Sequence, residues 1–226
     1  MAKTIENLFQ LLHRSANVFI VLLFLLFIKK AKSERAIVLI ALYALTELIL
    51  NLSASSFAKN LFSYIWGLFT YFEYLVFTYI LQINIKNKRF KKFIVICSVL
   101  FLIFTTIFNI VTNFKGIDSI PIGVETILIL IFCFYFLYEQ MNSVDNLFIY
   151  NKYQFWIVIG FMIYLAGSFF VFISASMIDN NLLRQYWFLT NCFYISMLIL
   201  FAIAIFVYIK KTKKTSNSHN LRPYLN

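Results

Sequence analysis

Four ionisable side chains stand inside long apolar runs of this sequence: Glu47, Glu73, Glu125 and Arg14. A charge held within hydrocarbon costs about 2.5–3.5 kcal/mol on insertion scales, so such groups usually face a bundle interior and mark ion or substrate sites. Glu47 and Glu73 fall near the middle of their runs, while Glu125 and Arg14 lie nearer an end. Asn51 follows Glu47 by one helical turn and so shares its face. Asn109 and Asn191 add two further intramembrane amides. Ionised acids at such a place attract a cation, and a carboxyl that exchanges its proton can couple to a proton gradient. Tyr43, Tyr71, Tyr74, Tyr164 and Tyr194 offer hydroxyls and rings to a pocket beside them. The plainer alternative is that Glu, Asn and Tyr hydrogen-bond helices together, at about 0.6–2 kcal/mol each. In that reading Arg14 snorkels to the surface and Glu125 sits close to water. We expect Glu47, Asn51, Glu73, Tyr164 and Asn191 to line a ligand site, with Arg14, Glu125 and Asn109 nearby.

Catalytic chemistry finds little support. No nucleophile and base pair stands out. His13 and His219 are too few and too distant in sequence for a zinc site. Cys97, Cys133 and Cys192 all fall inside apolar runs, where they read as small buried hydrophobes. The expectation is a protein that is not an enzyme and uses no metal or cofactor.

The elements that must position these groups follow from composition. Of 226 residues, 62% are hydrophobic, 20% aromatic and only 13% charged. Soluble domains are nearer half apolar and a quarter charged. A bilayer core about 30 Å thick needs roughly 20 apolar residues per helix. The spans read as Leu8–Ile28, Ala36–Ala54, Leu61–Leu81, Phe93–Val111, Ile120–Leu137, Phe155–Ser176 and Trp187–Ile209. The predicted fold is all-α, a seven-helix transmembrane bundle forming one membrane domain over residues 1–209. A polar, basic tail follows over residues 210–226, and short connections make consecutive helices antiparallel neighbours.

Basic residues give the orientation. Lys29, Lys30, Lys32 and Arg35 follow the first span, and Lys86, Lys88, Arg89, Lys91 and Lys92 follow the third. With Lys152 and the tail, fifteen of the 20 lysines and arginines fall on one side. Lys3, Arg14, Lys59, Lys115 and Arg184 fall on the other. The basic side is cytoplasmic, so the N-terminus is outside and the C-terminus inside. This placement also turns the net charge of +11 into a topology signal rather than a sign of nucleic-acid binding. The run after Leu8 is followed at once by Lys29 and Lys30, the reverse of a secretory signal, and reads as a retained helix. Trp66 and Trp187 then lie toward the outer surface and Trp156 toward the inner one, as in an aromatic belt. The lipid partner is expected to be a bacterial cytoplasmic membrane, with the tail drawn to anionic lipid by roughly 1 kcal/mol per charge. In this frame the polar candidates occupy the middle and outer half of the bilayer, which predicts a polar cavity opening outward.

An offset of 121 residues brings the second and third spans onto the sixth and seventh without a gap. Between Tyr43 and Phe72 there are nine identities, including Ser53–Ala54–Ser55 on Ser174–Ala175–Ser176 and Trp66 on Trp187. Composition alone would give about two or three. Both copies would cross in the same direction, as a parallel repeat. The halves would cover about residues 8–81 and 120–209, with a linking helix at about 93–111. The offset also brings Glu73 onto Tyr194 and Glu47 onto Ser168. In helix count, topology and repeat the chain resembles the SWEET and PQ-loop transporters. That resemblance implies two three-helix bundles around a linking helix, and a carrier's activity. The Pro-Gln signature is absent, since the only prolines are Pro121 and Pro223. Gly160, Gly167 and Ser168 give the sixth span small residues suited to close helix approach.

Three functions compete. A carrier would move a small polar or cationic ligand, or a proton, through the acid-lined site. A receptor-like sensor would bind a ligand outside and signal through a separate cytoplasmic partner. An oligomeric pore or membrane effector would assemble from copies of this chain.

Overall fold

Long apolar runs bounded by polar turns fold here entirely as helix. The computed structural model describes residues 2–53, 59–112, 119–142, 149–174 and 180–220. Its helices are α1 (Ala2–Leu26), the single turn α2 (Ile28–Ala31), α3 (Arg35–Ser53), α4 (Lys59–Asn84) and α5 (Lys88–Thr112). They continue with α6 (Ser119–Met141), α7 (Tyr153–Ser174) and α8 (Asn180–Asn220), and a 3-10 turn at Ile149–Asn151 precedes α7. Most helices extend beyond the spans expected from hydropathy, because polar residues at a span's edge still satisfy the backbone ladder. The first span is the exception, since its helix stops at Leu26 and restarts at Ile28. At the other end of the chain α8 runs on through the basic residues from Lys210 to Asn220, where a polar tail was expected.

Among the described residues, five segments are long and apolar enough to cross a membrane: Arg35–Ser53, Lys88–Thr112, Ser119–Met141, Tyr153–Ser174 and Tyr186–Lys211. Of the other two expected spans, α1 contributes a shorter apolar stretch, Leu11–Leu26, among the residues whose side chains are described. The 26 residues of α4 are long enough, but its described part is not among these apolar segments. Large apolar side chains such as Leu26, Leu100, Val111 and Phe170 lie exposed on the helix periphery. A water-soluble monomer rarely leaves so much apolar surface open. The helical, apolar bundle is compatible with an integral membrane protein.

The helices close into a ring. α1 packs between α3 and α8, α3 leads to α4, and α6, α7 and α8 follow as successive neighbours, with α4 also touching α6 and α7. α5 stands outside this ring against α4 and α6, which leaves most of its surface open. The core is aromatic: Tyr43, Tyr74, Phe77, Phe132, Phe136, Phe161 and Phe201 are fully enclosed. α7 and α8 approach most closely, because a Cβ at Gly167 would overlap the Phe193 ring and one at Gly160 would meet Met197 and Phe201 at 3.3 Å. Pro121 sits in the first turn of α6, where its missing N–H has no helical partner to lose.

One end of the ring is locked by side chains. Asn87 caps α5, its Oδ1 accepting the Arg89 N–H at 2.9 Å and the Phe90 N–H at 3.4 Å. The Glu139 carboxylate of α6 accepts the Lys86 and Asn87 backbone N–H groups at 2.7 Å each. Asn87 Nδ2 donates to the Tyr135 hydroxyl at 2.7 Å, and the Phe90 and Tyr135 rings stack with centroids 3.5 Å apart. Nearby, Ser33 and Tyr208 share a hydrogen bond of 2.8 Å between the turn before α3 and α8. The lysines and arginines of these connections thus hang from a fixed frame.

Candidate functional site

The polar residues of α1, α3, α4, α7 and α8 converge in the middle of the ring. α1 presents His13 and, one turn on, Asn17, both buried. α3 presents Tyr43, Glu47 and Asn51 at successive turns, which is the spacing that places all three on one helical face. Glu47 is 4% exposed and Glu73 9% exposed, so neither carboxyl faces the bilayer.

His13 and Glu47 form the first half of the cluster. His13 Nε2 lies 3.3 Å from Glu47 Oε1. Asn51 Nδ2 donates to the same oxygen at 2.9 Å and also reaches the Glu47 carbonyl at 3.0 Å and His13 Nε2 at 3.2 Å. The His13 ring stacks on Tyr194, with centroids 4.3 Å apart and planes 9° from parallel. The Tyr194 hydroxyl donates to Asn17 Oδ1 at 2.8 Å, and Asn17 Nδ2 donates to the His13 carbonyl at 3.1 Å. A single imidazole is therefore oriented by three helices.

Glu73 and its tyrosines form the second half. The Tyr43 hydroxyl donates to Glu73 Oε1 at 2.8 Å, and Tyr164 is a second hydroxyl that engages the same carboxyl. Tyr194 joins the halves, its ring lying 6.3 Å from that of Tyr43 and 5.6 Å from that of Tyr164. Ser168, one turn beyond Tyr164, gives its hydroxyl back to the Tyr164 carbonyl. Glu47 and Glu73 are close enough for their charges to interact, and Glu125 of α6 is close enough to interact with Glu73.

Among the described residues, the three buried acids have no lysine or arginine partner; the basic group beside them is the His13 imidazole, at Glu47. Arg14 turns away from the carboxyls and donates to the Asn51 backbone carbonyl at 3.2 Å. Charge in the cluster is met by hydroxyls, amides and one imidazole. No protein-family model, curated protein or solved structure matches the chain. The site is read from its own chemistry.

Of the residues singled out from sequence, Glu47, Asn51, Glu73 and Tyr164 come together, with Arg14 at the rim and Glu125 behind Glu73. Asn109 does not join them. It donates from Nδ2 to the Tyr71 hydroxyl at 3.3 Å in the contact between α4 and α5. Asn191 is half-buried on α8, and among the described residues no hydrogen bond ties it to the cluster. His13 and Asn17 were missed as site residues, because His13 was weighed only as a zinc ligand. Among the described residues no three His, Cys, Asp or Glu side chains converge as a metal site. The signal that finds them is the polar pair at positions 13 and 17, one helical turn apart in an otherwise apolar stretch. The loop residues of the sequence repeat, 54–58 and 175–179, lie outside the described residues.

Proposed function

We propose that the chain is a seven-span carrier for a small cationic or polar solute, or for a proton, that uses the His13, Glu47 and Glu73 cluster as its intramembrane site. The observation that carries this reading is that, among the described residues, three buried carboxyls have no lysine or arginine partner. A purely structural bridge between helices is served by one acid with its arginine or lysine, or by neutral amides. Three acids met by rotatable hydroxyls can instead gain and lose a cation or proton.

In this reading α1 and α4 also cross the bilayer, their polar residues being covered by the ring. The N-terminus lies outside, and the locked basic end around Lys86 to Lys92 lies on the cytoplasmic side. The peripheral position of α5, touching α4 and α6, favours a plan of two three-helix units with a linking helix between them, like that of the SWEET and PQ-loop transporters. The continuity of the described helices from α3 to α8 favours a second reading, a sensor that binds its ligand without moving it and signals through a separate cytoplasmic protein.

Purified protein in liposomes separates the two. A carrier moves protons or cations down an imposed gradient, and the double variant Glu47→Gln and Glu73→Gln abolishes that flux. Flux that survives the double variant removes this site from the mechanism. Ligand-dependent stabilisation without flux replaces the carrier with the sensor.

A further inference from the structure

The hydrogen-bond inventory of the cluster names a class of ligand. Glu47 Oε2 is enclosed and has no hydrogen-bond partner, although Oε1 of the same carboxyl accepts from Asn51. The protons around it are already committed. Asn51 serves Glu47 Oε1, the Glu47 carbonyl and His13; the Tyr43 hydroxyl proton goes to Glu73; the Tyr194 hydroxyl proton goes to Asn17. Arg14, the nearest guanidinium, is turned to a backbone carbonyl. A buried carboxylate oxygen left without a donor costs about 1–3 kcal/mol, and more when charged. What completes the site must bring its own donor proton.

Aromatic rings stand close to the Glu47 carboxyl. His13 and Tyr194 present a stacked pair, and Tyr43 and Tyr164 stand against Tyr194. Ring faces attract a cation and accept a hydrocarbon body. We propose that the site binds a primary alkylammonium cation, its N–H groups donating to Glu47 Oε2 and its carbon body lying against the Tyr194 and Tyr43 rings. A quaternary ammonium satisfies the rings but not the oxygen. A bare metal ion wants a set of converging side-chain ligands, and among the described residues no such group of three or more His, Cys, Asp or Glu is found. This assignment rests on the carrier reading of the same cluster.

The test is thermal unfolding of the full chain in detergent micelles with methylammonium chloride, tetramethylammonium chloride or sodium chloride at equal concentration. Methylammonium raises the midpoint by about 3–6 °C at ten times its half-saturating concentration, and the other two salts do not. Glu47→Gln, which puts donors where the open acceptor stood, abolishes the shift; Glu47→Asp keeps it at weaker affinity; Glu139→Gln, at the far end of the bundle, leaves it unchanged. An equal shift with tetramethylammonium or sodium, or a shift retained in Glu47→Gln, overturns the assignment. The comparison of salts on the unsubstituted chain decides the matter even where a variant does not fold. Proton flux that persists without methylammonium binding overturns the ligand class and leaves the carrier standing, whereas loss of both overturns both.

Discussion

The Tyr43 hydroxyl donates to Glu73 at 2.8 Å from a ring that is fully enclosed, so removing that one oxygen atom probes the centre of the site. Tyr43→Phe keeps the ring contacts with Phe69 and Phe77, at 5.9 and 5.1 Å between centroids. It creates almost no cavity, and its cost is therefore the hydrogen bond itself. Between neutral partners inside a membrane bundle such a bond is worth about 0.6 kcal/mol on average and at most about 1.7 kcal/mol. With an ionised acceptor it rises to about 1.5–3 kcal/mol. The substitution made in the native background and again in the Glu73→Gln background separates these cases. Reversible unfolding in mixed micelles supplies the free energies, and the difference between backgrounds is the coupling of hydroxyl to charge. A Tyr43→Phe cost in the native background at least twice that in the Glu73→Gln background means that Glu73 carries charge. Equal costs near 1 kcal/mol mean that the carboxyl is neutral. A cost below about 0.3 kcal/mol in the native background refutes the reasoning, since the hydroxyl would then not be bonded to the carboxyl at all.

Three further substitutions test the frame around the site. Gly167→Ala places a methyl on the Phe193 ring and should destabilise the bundle by about 1–3 kcal/mol; Gly160→Ala meets the pliable Met197 at 3.3 Å and should cost less, and the same unfolding assay ranks the two. Asn87→Ala removes the cap of α5 and should cost about 1 kcal/mol, with amide exchange at Arg89 and Phe90 rising before that of the α5 interior.

The membrane character of this chain is legible from its composition, because roughly twenty apolar residues in a row leave few alternatives to a spanning helix. The end points were less legible. Hydropathy stops at the first lysine, whereas the backbone ladder of α8 continues through Lys210 and Lys211, for which a helical turn in polar surroundings is no burden. Of the site, the part carried by one helix could be read directly: the turn from Glu47 to Asn51 is a local spacing, and their hydrogen bond at 2.9 Å follows from it. Which helices face that turn is a matter of ring closure, and no local pattern encodes it. His13 of α1 and Tyr194 of α8 meet across 181 positions of sequence because α1 packs between α3 and α8. For the same reason Asn109 looked equivalent to Asn51 in sequence and is not, since α5 lies outside the ring and has only Tyr71 and its neighbours to bond.

That closure bears on function through the kind of partner each acid is given. An arginine or lysine beside Glu47 or Glu73 would fix the local charge, and any change in protonation would then cost a buried pair, at about 3–5 kcal/mol. Hydroxyls and an imidazole behave differently, because each can reverse its role from donor to acceptor by rotation or tautomer change. The links from His13 through Glu47, and from Tyr43 and Tyr164 to Glu73, can thus follow a gain or loss of positive charge without moving a helix. A bundle that needed these residues only for cohesion would gain nothing from that freedom and would bear the desolvation of three carboxyls for it. The arrangement makes physical sense where charge enters and leaves the site.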